Sequence, residues 1–111
     1  MDQRDFETEA EKVLARLMVE IEDQVPDAEA DLQGGILTVS LEGTGQYLIN
    51  KHGPNREIWL SSPKSGAWHF RREPETGWVS TRVVDGVRPV LHRLLADELA
   101  AVAGGPVTLS E

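Results

Sequence analysis

The residues of this chain best placed to do chemistry are carboxylates, and they are unevenly distributed. Positions 1–31 carry eleven acids (Asp2, Asp5, Glu7, Glu9, Glu11, Glu20, Glu22, Asp23, Asp27, Glu29 and Asp31) against the bases Arg4, Lys12 and Arg16. That segment alone accounts for the formal net charge of −8, and the remainder is neutral. A one-sided negative field attracts cations or a basic partner, and it opposes nucleic acid, whose phosphates require the opposite sign. A solvated helix face is the plain alternative for such a run. Cysteine is absent, which excludes disulfides, thiol nucleophiles and thiolate metal ligands. Any metal must therefore be held by oxygen or imidazole.

The elements that position these acids follow from hydrophobic periodicity. Phe6, Ala10, Val13, Leu14, Leu17, Ile21 and Val25 recur at three- and four-residue steps and predict an amphipathic helix over about 4–24, ended by Pro26. Glu9, Glu20, Asp23 and Asp27 fall off its apolar stripe. The period then becomes two. Ala28, Ala30 and Leu32 alternate with Asp27, Glu29 and Asp31 in a strand with acids outward, and Gly34-Gly35 marks a tight hairpin. Further strands are expected at 37–41, 46–51, 57–61, 67–71 and 78–81. The turns between them are Gly43-Thr44-Gly45, His52-Gly53-Pro54-Asn55, Ser62-Pro63-Lys64-Ser65-Gly66 and Pro74-Glu75-Thr76-Gly77. Val87, Val90, Leu91, Leu94, Leu95, Leu99 and Val102 predict a closing helix over 87–103, with Asp85 as N-cap, Pro89 near the first turn and Gly104-Gly105 beyond its end. The expected fold is α+β. It is a two-layer α–β sandwich in which an antiparallel sheet of about six strands carries both terminal helices on one face, in a single domain over 1–111.

Strand alternation separates a core face from an outer one. If Ile49, Ile58 and Leu60 point inward, Asn50 and Trp59 point outward, close together across a hairpin. A large outward aromatic is the usual anchor of an interface. A register one residue off would bury Trp59, and alternation alone leaves both registers open. His69 is expected outward between inward Trp68 and Phe70, and Trp78 in the core. His52, His69 and His92 read as scattered surface residues rather than a metal triad, and Arg71, Arg72 and Arg82 as solvated bases. Gly43-Thr44-Gly45 lacks the following helix and Lys-Ser/Thr of a phosphate loop.

The run Tyr47-Leu48-Ile49-Asn50-Lys51-His52-Gly53-Pro54-Asn55-Arg56-Glu57-Ile58-Trp59-Leu60-Ser61-Ser62-Pro63 resembles the central signature of the frataxin family. Gly34 to Val39 resembles that family's first hairpin. Asp85-Gly86-Val87 with Leu91 to Leu99 resembles its closing helix, so the likeness extends over about 4–103. The resemblance implies an α–β sandwich that binds iron (Fe2+/Fe3+) weakly and acts in iron–sulfur cluster assembly, docking on a cysteine desulfurase and its scaffold protein. It implies an acidic ridge, here Glu20, Glu22, Asp23 and Asp27 with Glu29 and Asp31 on the strand, and a docking pair, here Asn50 and Trp59. Exposed carboxylates suit weak, exchangeable iron. The chain departs from the family in three places: the short link Val25-Pro26-Asp27, His52 in place of Gln, and Arg56-Glu57 in place of a Lys-Gln type pair.

A metal-independent acidic regulatory module and a ferroxidase or iron-storage activity stand as alternatives. A carboxylate hydrolase is disfavoured, because such a pair needs a cleft and one raised pKa. The acidic start lacks a signal or transit pattern and no run reaches the roughly 18 residues of a membrane span, so the expectation is a soluble, cytoplasmic protein. The expected oligomeric state is a monomer, with iron-dependent assembly as the alternative.

Overall fold

The structure, a computed structural model, describes residues 1–110. Its elements follow in chain order: α1 (Gln3–Gln24), β1 (Glu29–Gln33), β2 (Ile36–Leu41), β3 (Gly45–His52), β4 (Glu57–Ser62), β5 (Gly66–Glu73), β6 (Gly77–Ser80) and α2 (Leu91–Ala103). The strands form one antiparallel sheet in sequential order, as expected for strands joined by tight turns. Both helices lay their apolar stripes on one face of that sheet. Phe6, Leu14 and Leu17 of α1 meet Tyr47, Ile49 and Ile58 of the sheet in a single core to which Leu95 and Leu99 of α2 also belong.

Local chemistry sets the boundaries. The Asp2 carboxylate accepts the Asp5 backbone N–H at 2.8 Å and caps α1. At the other end Pro26 disfavours helical geometry at Val25, and the helix stops at Gln24. The β1–β2 hairpin turns through Gly34 and Gly35, both at positive φ (58° and 78°), the type I′ pattern that matches strand twist.

The closing helix is shorter than periodicity predicts. It begins at Leu91, so Val87 and Val90 are not helical and Asp85 is not its N-cap. Asp85 and Gly86 instead take φ of 53° and 78° and form a tight turn in which Val84 and Val87 exchange backbone hydrogen bonds at 2.7 and 3.0 Å. Asp-Gly is the strongest short signal for this turn, and it wins over the apolar spacing that suggested a helix. The Pro89 carbonyl then accepts the Ser80 N–H at 2.8 Å, so this loop covers the β6 edge of the sheet.

α2 is locked to the sheet by one carboxylate. Glu98 Oε1 accepts hydrogen bonds from the Tyr47 hydroxyl at 2.8 Å and from Ser62 Oγ at 2.6 Å, and Oε2 accepts from Ser65 Oγ at 2.6 Å. Ser62 Oγ in turn accepts the N–H groups of Lys64 and Ser65, at 3.0 and 3.1 Å, which builds the β4–β5 turn.

Candidate functional site: an acidic edge and an uncovered aromatic face

The predicted ridge residues occupy one border of the molecule. Glu20, Glu22 and Asp23 lie on the last two turns of α1, Asp27 in the following turn, and Glu29 and Asp31 on edge strand β1, opposite Ser40 and Thr38. No base lies in the last turn of α1, where the helix dipole would favour one. Among the described residues Glu22, Asp23, Asp27, Glu29 and Asp31 are exposed and have no ion pair. Glu20 differs: its two oxygens accept from Ser110 N at 3.1 Å and Ser110 Oγ at 2.9 Å. The C-terminal segment thus already engages one of the six acids. Glu42, absent from the sequence-based set, lines a shallow surface depression together with Asp27 and Glu29. Among the described residues no three or more His, Asp or Glu side chains converge on a ready metal position. The acids at the start of α1 are engaged elsewhere. Lys51 Nζ lies 2.5 Å from Glu7 and 2.8 Å from Glu11, an arrangement that holds Glu7 below its ordinary pKa and raises Lys51.

The sheet face away from the helices carries the second set of residues. Ile49, Ile58 and Leu60 are in the core, so Asn50 and Trp59 face outward, and the two are direct register partners on β3 and β4. Of the two registers that alternation leaves open, the chain adopts the one that turns Trp59 outward. Trp59 is nevertheless half-buried, because two histidines cover its ring faces. The His52 ring stacks on one side (centroids 3.7 Å apart, planes 11° apart) and the His69 ring on the other (4.2 Å, 8°). His52 and His69 are therefore not scattered: they share one indole, although the His69 side chain keeps 43% of its surface exposed. Their assembly depends on strand pairing, since Trp59 faces His69 in register and His52 lies diagonally across the hairpin.

At the N–H edge of the indole lies Glu57, 3% exposed although it is on the outer face. Its Oε1 accepts the Trp59 indole N–H at 2.9 Å and its Oε2 accepts Arg71 Nε at 2.8 Å, with His69 Nδ1 3.8 Å from Oε1. Burial works to raise the Glu57 carboxyl, but the hydrogen bonds from Trp59 and Arg71 outweigh it and hold the group below its ordinary value of 4.5. Arg71 is thus not a merely solvated base. Neither is Arg82, whose guanidinium lies 3.6 Å over the Trp68 ring, nor Arg72, which donates to the Glu73 carbonyl. Trp78 is in the core at 3% exposure, and His69 lies between the buried Trp68 and Phe70, both as expected.

Fold and surface together define a class: a two-layer α–β sandwich with an unpaired acidic edge and a sheet face left open around a clamped tryptophan. Residues 1–105 match the frataxin-like domain family. The chain is 33% identical over 116 aligned residues to the mitochondrial frataxin of Arabidopsis thaliana, covering 99% of this chain and 60% of that protein. It is 36% identical to the mitochondrial frataxin of Caenorhabditis elegans over 86% of this chain and 79% of that one. Among solved structures, trimeric frataxin from the yeast Saccharomyces cerevisiae superposes with a TM-score of 0.73 at 32% identity (86% and 79% coverage). A frataxin from Psychromonas ingrahamii gives a TM-score of 0.81 at 21% identity with both chains fully covered, a likeness of fold. The chain belongs to the frataxin-like domain family.

Proposed function

We propose that this protein is an iron-binding accessory protein of iron–sulfur cluster assembly, serving as iron donor to, or regulator of, a cysteine desulfurase–scaffold complex. Iron is its cargo, held weakly by the carboxylates Glu20, Glu22, Asp23, Asp27, Glu29 and Asp31. Docking runs through Asn50 and Trp59. The observation that carries this reading is that a member of the frataxin-like family presents Trp59 and Asn50 side by side on the one sheet face no helix covers. A half-buried tryptophan on an otherwise open face supports an interface anchor. A solved structure of trimeric frataxin from Saccharomyces cerevisiae, complexed with ferrous iron, matches with a TM-score of 0.63 at 29% identity, which supports iron as the metal. Separate, exposed carboxylates favour weak, exchangeable binding of a hard cation over a closed cage.

The test is Fe2+ titration and a cysteine-desulfurase assay on one preparation. Trp59→Ala is expected to keep fold and iron binding but to lose most of its effect on the desulfurase. A wild-type effect from a folded Trp59→Ala variant overturns the docking surface. An effect that persists in full without iron favours the metal-independent regulatory module. The apo protein acts as a monomer in this reading, and size-exclusion chromatography with and without Fe2+ reads any iron-driven assembly.

A further inference from the structure

The clamp around Trp59 has more parts than an exposed anchor requires. Both ring faces are occupied, by His52 and His69, and the one polar atom of the indole is engaged with Glu57. Glu57 is itself held by Arg71, so the chain of contacts runs from Arg71 through a buried carboxylate to the indole. His52 Nδ1 is buried and among the described residues finds no hydrogen-bond partner, so that ring is placed by stacking. A tryptophan with a free rotamer must be ordered when a partner binds, at a cost in entropy, whereas a pre-ordered one avoids that cost.

We infer that Glu57 is the positioning residue of the docking anchor and that it determines which part of Trp59 a partner meets. This rests on the docking reading given above. With its N–H turned inward to Glu57 and both faces covered, the indole offers a partner its apolar edge. The complementary surface on the desulfurase–scaffold complex is then an apolar slot, not a hydrogen-bond acceptor for the indole N–H. Polar recognition falls to neighbouring groups such as Asn50, directly opposite in register. Arg71 acts one step further out, by keeping the Glu57 carboxylate ionised and in place.

The test uses the intact protein and four variants: Glu57→Ala, Glu57→Gln, Arg71→Met and Trp59→Ala. Two readouts are taken: the Trp59 indole N–H resonance in 1H–15N NMR, and affinity for the desulfurase–scaffold complex by calorimetry. Glu57→Ala is expected to stay folded, shift the indole resonance toward its solvent-exposed position and bind at least tenfold more weakly. Glu57→Gln retains a carbonyl acceptor and is expected to restore most of both signals. Arg71→Met is expected to give an intermediate loss. A folded Glu57→Ala variant with an unmoved indole resonance, or with wild-type affinity, overturns the inference. If Glu57→Ala does not fold, Glu57→Gln and Arg71→Met decide: weakened binding with a shifted resonance in Arg71→Met supports it, and wild-type binding in both overturns it. Loss of binding in Trp59→Ala with none in Glu57→Ala overturns the positioning role alone. No loss in Trp59→Ala overturns the docking reading itself.

Discussion

Tyr47 and Glu98, 51 positions apart, meet through a 2.8 Å hydrogen bond that ties the third strand to the closing helix. The same carboxylate receives the Ser62 and Ser65 hydroxyls, and Ser65 Oγ also accepts the Trp68 indole N–H at 2.9 Å. Burial, then the Glu98 carboxylate, pushes the Tyr47 phenol far above its ordinary value of 10, so it stays a donor at any physiological pH. Removing Glu98 strands three hydroxyl donors at once. Glu98→Ala is therefore expected to destabilise the domain by about 2–4 kcal/mol, and Tyr47→Phe, which removes a single donor, by about 1 kcal/mol. Urea denaturation of the two variants measures the difference. Equal losses would show that Glu98 does not act as a hub.

The acidic edge is expected to cost stability. Glu20, Glu22 and Asp23 crowd the C-terminal end of α1 with no base in its last turn, so like charges and the helix dipole both oppose them. Asp23→Asn should raise stability by about 0.3–1 kcal/mol at low salt, and the gain should shrink in 1 M salt. A melting temperature unchanged or lowered by the substitution argues against crowded charges.

Fe2+ is expected to perturb Glu22, Asp23 and Asp27 before Glu20, because Ser110 already engages both Glu20 oxygens. Paramagnetic NMR broadening reads the order. Ser110→Gly should bring Glu20 forward in that order while leaving the fold unchanged. Broadening confined to His52 and His69 would reject the carboxylate assignment.

Acid should loosen the Trp59 clamp in a defined window. Glu57 has a folded-state pKa below its ordinary 4.5, so its stabilising contribution is complete above the unfolded value and is lost as pH falls through the folded one. Glu7, held low by Lys51, acts with the same sign. Wild type should therefore lose stability steeply below about pH 4.5, while Glu57→Gln is less stable at pH 7 and shows a shallower fall. Parallel pH curves for the two proteins would remove Glu57 from the account.

Gly35 is expected to tolerate no side chain. Its φ is +78°, and a Cβ there would lie 2.6 Å from Lys51 Cε, the stem of the ammonium that pairs with Glu7 and Glu11. Gly35→Ala should cost more than about 1 kcal/mol through backbone strain and displacement of Lys51. Gly34→Asn, in open space at φ +58°, should be nearly neutral, since Asn tolerates this conformation. Chemical denaturation compares the two.

The sequence by itself determined the order of elements and the core stripes, and it narrowed Trp59 to two registers between which only strand pairing and core packing decided. The order and the stripes depend on periods of 3.6 and 2 and on Gly, Pro and Asp-Gly punctuation, all of which are local. Where two local signals conflicted, at 85–90, apolar spacing pointed to helix and the Asp85-Gly86 turn prevailed; the conflict was visible in the residues, but its outcome was not. The acidic edge was legible as charge, yet its partial engagement was not, because Ser110 reaches Glu20 only after the chain has folded back over α1. Least legible was the clamp. His52, Glu57, His69 and Arg71 come from three strands, and nothing in their spacing identifies them as one group. Only strand pairing stacks two imidazoles on one indole and brings Arg71 to the carboxylate at its N–H edge, because neighbouring strands bring side chains from distant positions within about 5 Å of each other.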